Sequence, residues 1–320
     1  MQILKATPLL FLTVLMTSAA VPPRRADELP SALRPVILLV HGRGSIARDS
    51  ATFRRAALQS LRAGAYRATG DSLFNDGDVR LVWYADLMTA RRSGSGSTLC
   101  ARPADEGVSP SFLLRSLALV ASDLLSAGAS DSTDDDAHDI AGDLRFIGDP
   151  ALQCDAEGRV DRAVDRARTE GRPVVVVAHS LGALVTWGYL QRRGTLDAHD
   201  PYEIQRLVTI GSPIGHAELR ELLFSDTAAV ALPRAVRSWV NAVNADDPFA
   251  VRLLPLDSAH ERSAARRGVV DLMTGSGEES AHDLRSYLRD STTAGAIVGA
   301  WCEAAEMRRQ FAGCASVTSR

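Results

Sequence analysis

The stretch VVVVAHSLGALV, Val174 to Val185, decides how this chain reads. Four successive valines suit a strand buried on both faces, because β-branched side chains pack on a pleated surface and no solvent face demands alternation. After it, Leu181, Leu184, Val185 and Gly188 fall on one helical face, with Gly194 placed to cap the far end. The segment therefore reads strand, sharp turn, helix. Ser180 lies in the turn, where the small Gly182 lets the backbone fold tightly, and its hydroxyl is expected to stand above the end of a parallel sheet.

The five residues Ala178-His179-Ser180-Leu181-Gly182 resemble the nucleophile elbow of the α/β-hydrolases. The family pattern is G-x-S-x-G, and Ala178 stands in place of the first glycine, a small-for-small departure that some lipase-like members share. The resemblance implies an α/β-hydrolase fold: a mostly parallel central sheet with helices on both faces. Pro35 to Val40 is a second continuous apolar run, and it ends in His41-Gly42-Arg43-Gly44, which resembles the HG loop of the same family. There the backbone N–H after His-Gly and the N–H after the nucleophile hold the oxyanion. Carried over, those donors belong to Arg43 and Leu181. His41 is assigned a structural role.

Further along, Val79 to Tyr84 reads as a strand and Gly158 to Arg168 as the helix feeding the Val174 strand. Between them lies a lid-like insertion, about residues 91–157, with a loop over 93–97, an amphipathic helix over 112–125 and an acidic run over 130–139. That acidic run lacks the glycine and terminal glutamate of a calcium loop, so it is read as a solvated loop.

Arg206 to Ile210 forms the next strand and runs into Gly211-Ser212-Pro213, a turn resembling those of lipases, lecithin-cholesterol acyltransferases and inositol-deacylase-like enzymes. Val236 to Val243 is the strand after it, closing on Asn244-Ala245-Asp246-Asp247-Pro248. A carboxylate here would orient the catalytic imidazole. Related hydrolases place the acid directly before the proline, which favours Asp247 and keeps Asp246 in reserve. Gly268 to Met273 is the last strand, after which a Gly/Ser-rich loop delivers His282 in an H-x-x-x-x-Y-L context similar to that of the lipase-like group. A histidine suits general-base work at neutral pH. His216 precedes the acid strand and so breaks the family order of serine, acid, histidine, and His260 precedes the last strand.

The bulk properties agree with an enzyme of this size. With 320 residues, 46% hydrophobic, the chain can bury one large core, read as a single domain over 35–320. A net charge of -3 gives no global basic field, so nucleic acid is not an expected partner. Lys5 followed by the apolar run Ala6 to Met16 and then Thr17-Ser18-Ala19-Ala20 matches a secretory signal over 1–20, with a flexible leader over 21–34. The run is too short for a comfortable membrane span. Secretion or periplasmic export is therefore expected.

Four cysteines permit two disulfides, expected as Cys302–Cys314 and Cys100–Cys154, and none has zinc spacing. The resulting expectation is a secreted serine hydrolase cleaving an apolar carboxylic ester, with Ser180, His282 and Asp247 as its triad and with neither metal nor organic cofactor. The small-molecule or lipid ester is its expected partner. An acyltransferase with the same triad and a noncatalytic binding module on the same fold remain as alternatives.

Overall fold

The computed structural model describes residues 34–42, 49–89, 145–196, 204–224, 230–254, 268–275, 281–303 and Cys314. The signal, the leader up to Leu33, Arg43, Cys100, His260 and the expected elements over 93–97, 112–125 and 130–139 lie outside the described residues, while Arg34, the leader's last residue, is buried with its Nε donating to Asp78 Oδ1 at 2.9 Å. Six strands form one parallel sheet: β1 (Val36–Val40), β2 (Val79–Val82), β3 (Val174–His179), β4 (Arg206–Ile210), β5 (Trp239–Asn244) and β6 (Val269–Thr274), in the order β2-β1-β3-β4-β5-β6. The architecture is α/β.

The two apolar runs form adjacent central strands, with Val36 paired to Val174 and Val40 to Ala178. Every residue of both is buried, as an unalternating run requires. Their odd and even positions feed different layers. Val36, Leu38, Val40, Val174, Val176 and Ala178 pack under α3 (Pro150–Thr169) and α4 (Leu181–Leu196). Ile37, Leu39, Val175 and Val177 pack under α1 (Ser50–Thr69), α6 (Leu284–Arg289) and α7 (Ser291–Cys302). Burying each such Val or Leu stabilises the fold by roughly 1.5–3 kcal/mol relative to exposure. Two short helices complete the set, α2 (Ala85–Thr89) and α5 (Ala217–Phe224).

Helix boundaries follow local chemistry. Asp49 caps α1 through bonds from Ala51 N–H at 2.9 Å and Thr52 N–H at 3.2 Å, and Gly70 ends it at φ 77°. Helix α3 starts at Pro150, eight residues before the expected Gly158, because Asp149 caps it and Pro150 occupies its first turn. The end of the expected insertion, 150–157, is thus the start of a helix whose Leu152 and Ala156 are buried in the core.

Strand β2 stops at Val82 instead of Tyr84. Strand β5 begins at Trp239, three residues after the expected Val236, which makes only an isolated bridge to Ile204. Cys302 and Cys314 stand at disulfide distance with Cα atoms 5.5 Å apart. Cys154 is buried in α3. Among the described residues no helix is long and apolar enough to cross a membrane.

This topology creates a switch point. The chain leaves β1 toward β2 on one side and leaves β3 toward β4 on the other, so the connections diverge above the carboxyl ends of β1 and β3. Open parallel sheets bind ligands at such a switch point. Gly42 and Ser180 both lie there.

Candidate active site

Ser180 follows the last residue of β3 and holds φ at 53°, the one positive value of a non-glycine among the described residues. A left-handed serine costs on the order of 1–3 kcal/mol and persists only where its surroundings hold it. Here its N–H donates to Ile210 C=O at 3.1 Å and its C=O accepts Ala183 N–H at 2.9 Å, which opens α4. Two glycines make the turn possible. A Cβ on Gly182 would lie 2.3 Å from His41 O, and one on Gly42 would lie 2.6 Å from Ser180 Cβ.

His282 comes from the turn preceding α6. Its Nε2 lies 2.9 Å from Ser180 Oγ, and its Nδ1 lies 2.9 and 3.0 Å from the two carboxylate oxygens of Asp247. A carboxylate only accepts, so the proton sits on Nδ1 and Nε2 is left to accept from the serine hydroxyl. Asp247 is buried in the turn after β5, with Oδ1 accepting Phe249 N–H at 2.9 Å and Oδ2 accepting Tyr287 Oη–H at 2.7 Å. Burial works against the charge of Asp247, yet the bonds from His282, Tyr287 and Phe249 together hold its carboxyl below the ordinary value. Asp246 is exposed one residue earlier, its N–H on Asn244 Oδ1 at 3.1 Å. Of the two aspartates, Asp247 reaches the histidine.

On the oxyanion side, Leu181 opens α4, and its N–H is one of the first-turn donors for which the helix itself supplies no carbonyl. His41 lies flat against Tyr84, ring centroids 4.1 Å apart, and its Nε2 accepts Tyr84 N–H at 3.2 Å while Nδ1 faces Gly42 O at 3.0 Å. Burial depresses its pKa to about 4. His41 thus braces the loop as a neutral ring, the structural role expected of it. His216 ends a 3-10 turn over Pro213–Gly215, half-buried, with its N–H on Pro213 O at 3.0 Å.

Three contributors escape a reading of the sequence. Tyr287 sits five residues after His282, visible as the Tyr of the H-x-x-x-x-Y-L context without a role attached. Gly211 has φ 55°, and a Cβ there would stand 3.0 Å from Asp247 Oδ2 and 3.2 Å from His282 Nδ1. His179 places Nε2 at 2.8 Å from the backbone oxygen of His282. Its signal is strand alternation, which puts it on the same face as Val175 and Val177. The ring of Phe249 closes one side, 4.5 Å from the ring of His282.

No protein-family model, no curated protein and no solved structure matches this chain. A hydroxyl, an imidazole and a buried carboxylate in one hydrogen-bonded line can draw a proton off the hydroxyl and hold the imidazolium that results. Among the described residues no group of three His, Cys, Asp or Glu side chains could hold a metal ion.

Proposed function

We propose that this protein is a serine hydrolase of the α/β-hydrolase type that cleaves an apolar carboxylic ester through an acyl-enzyme. The observation that carries the proposal is the unbroken line from Ser180 Oγ through His282 to Asp247, with 2.9 Å at both joints.

In this reading Ser180 Oγ attacks the ester carbonyl and His282 Nε2 takes its proton. Negative charge grows on the carbonyl oxygen, where Leu181 N–H serves as one donor and Arg43 N–H as the second. One such preorganised donor is typically worth about 100- to 1000-fold in rate. The intermediate collapses by breaking the bond to the alcohol, which leaves with the proton from His282. Water then repeats the sequence on the acyl-Ser180 ester and frees the acid. Asp247 keeps its charge throughout, orienting the Nδ1–H and balancing the imidazolium. The left-handed turn at Ser180 and the close approaches at Gly42 and Gly182 support the elbow reading further.

Export is part of the proposal, supported by the apolar N-terminal run with its small-residue end and by the Cys302–Cys314 pair. A fluorophosphonate probe tests the chemistry. Wild type should be labelled on Ser180 and Ser180→Ala should not; equal labelling of both would falsify the assignment.

A further inference from the structure

We propose that His179 is a positioning residue whose Nε2–H clamps the backbone carbonyl of His282, so that the dipeptide His179-Ser180 carries both the nucleophile and the anchor of its base. The inference rests on the hydrolase reading above.

The strand period sends His179 into the layer beneath α1, α6 and α7, where Val175 and Val177 also lie. His282 descends into that layer from the opposite direction, ahead of α6. Residues 281–283 belong to neither helix nor strand; Asp283 is tied to α6 where its carbonyl accepts Tyr287 N–H at 3.2 Å, and side chains hold the two residues before it. Two side chains reach their carbonyls: Asn244 Nδ2 to Ala281 O at 3.4 Å, and His179 Nε2 to His282 O at 2.8 Å. The second is the shorter, and it falls on the residue whose ring must meet Ser180.

The clamp itself has little freedom. His179 is 4% exposed. Its Nδ1 lies so near Gly42 that a Cβ there would stand 2.7 Å away, and the rings of His282 and Tyr287 sit 5.0 and 6.3 Å from its own. Burial, with the neighbouring His282 as the next cause, lowers its pKa to about 3, so the ring is neutral and carries a single N–H. A carbonyl accepts and cannot donate, which places that hydrogen on Nε2. Asp247 then fixes the His282 ring from one side and His179 fixes its backbone from another. Rotation about the remaining side-chain bonds is what sets the 2.9 Å contact to Ser180.

The test compares His179→Gln, which can present an N–H near the reach of the imidazole Nε2, with His179→Met, which fills similar space and donates nothing. Wild type must first be labelled on Ser180 by the fluorophosphonate; failure here defeats the hydrolase reading and not the clamp. Given labelling, His179→Met should lose about 10- to 100-fold in labelling rate and in kcat, with KM nearly unchanged, since a displacement near 1 Å can cost about 100-fold. His179→Gln should recover most of that loss. Equal rates in the two variants, or a wild-type rate in His179→Met, would overturn the proposal. If His179→Met does not fold, or wild type is not labelled, nitrogen-15 NMR of the wild-type imidazoles decides the bond directly: an Nε2–H at His179 upholds the clamp, and an Nδ1–H tautomer, which leaves Nε2 without a hydrogen, sinks it.

Discussion

The Tyr287 hydroxyl donates its hydrogen to Asp247 Oδ2 at 2.7 Å while its own oxygen, Oη, accepts Asn244 N–H at 3.2 Å. The hydroxyl therefore ties the acid to the end of β5. Burial and the adjacent carboxylate push the phenol well above its ordinary pKa, so it stays a donor. Tyr287→Phe should lower stability by about 1.5–3 kcal/mol, the usual worth of a hydrogen bond to a charged group, and leave Asn244 N–H without this acceptor. Urea unfolding measures it. An unchanged midpoint would mean that Phe249 N–H and His282 alone hold Asp247.

The two aspartates after β5 should separate by orders of magnitude. Asp247→Asn presents an amide to His282 Nδ1, allows the wrong tautomer and cannot balance the imidazolium; the analogous change in a serine protease costs roughly 10⁴-fold. Asp246 is exposed and out of the line, so Asp246→Asn should keep activity within about threefold, as surface changes do. Steady-state kinetics on both, with circular dichroism as a check of folding, settles the order. A dead Asp246→Asn beside an active Asp247→Asn would reverse the roles.

That pair also marks how far the sequence is legible. Strands β1 and β3 are readable because a continuous apolar run buried on both faces leaves a pattern in the chain itself. Ser180 is readable because a strand, a small-residue turn and a helix follow one another locally. Between Asp246 and Asp247 the only local signal is the following Pro248, which favours Asp247 by resemblance; the turn beyond Asn244 is what brings the Asp247 carboxylate inward. The expected start of β5 at Val236 is three residues early: Val236 is as buried as a strand residue, yet the chain pairs there only once, with Ile204. Pro150 hid the start of α3 in the same way, being compatible with a loop until Asp149 is seen to cap it. His179 and Tyr287 carry roles made by partners more than 35 residues away, 103 for His179 and 40 for Tyr287. Contacts of that range have no signature in spacing.

Gly42 should tolerate no side chain. A Cβ would stand 2.6 Å from Ser180 Cβ, 2.7 Å from His179 Nδ1 and 2.9 Å from His179 O, so the nucleophile turn must shift to admit it. Gly42→Ala should reduce kcat about 100-fold, as a displacement near 1 Å does. Gly70→Ala is the control: nothing lies within 4 Å of its Cβ, and only the φ of 77° resists it. That variant should lose stability by about 1 kcal/mol and keep its turnover. A fully active Gly42→Ala would show that the loop yields without moving Ser180.

Acid should weaken this protein first through two buried histidines, His41 and His179. His41 and His179 have folded pKa values of about 4 and about 3 against 6.5 in the unfolded chain, both lowered chiefly by burial. With folded values depressed, the unfolded state binds protons first as pH falls. Stability is then complete above 6.5 and declines from there as pH falls toward the folded values. Each histidine contributes a slope of up to about 1.4 kcal/mol per pH unit in that window. The carboxyl of Asp247, also depressed, adds its share only below the ordinary carboxylate value of 3.8. Urea midpoints measured from neutral pH down to the window's lower edge should fall with a slope near two protons. His41→Gln should be less stable at neutral pH, having lost the stacked ring, yet show a slope nearer one proton. A slope that is the same in both proteins would mean that His41 titrates alike in the folded and unfolded chains, and the burial argument for it would fail.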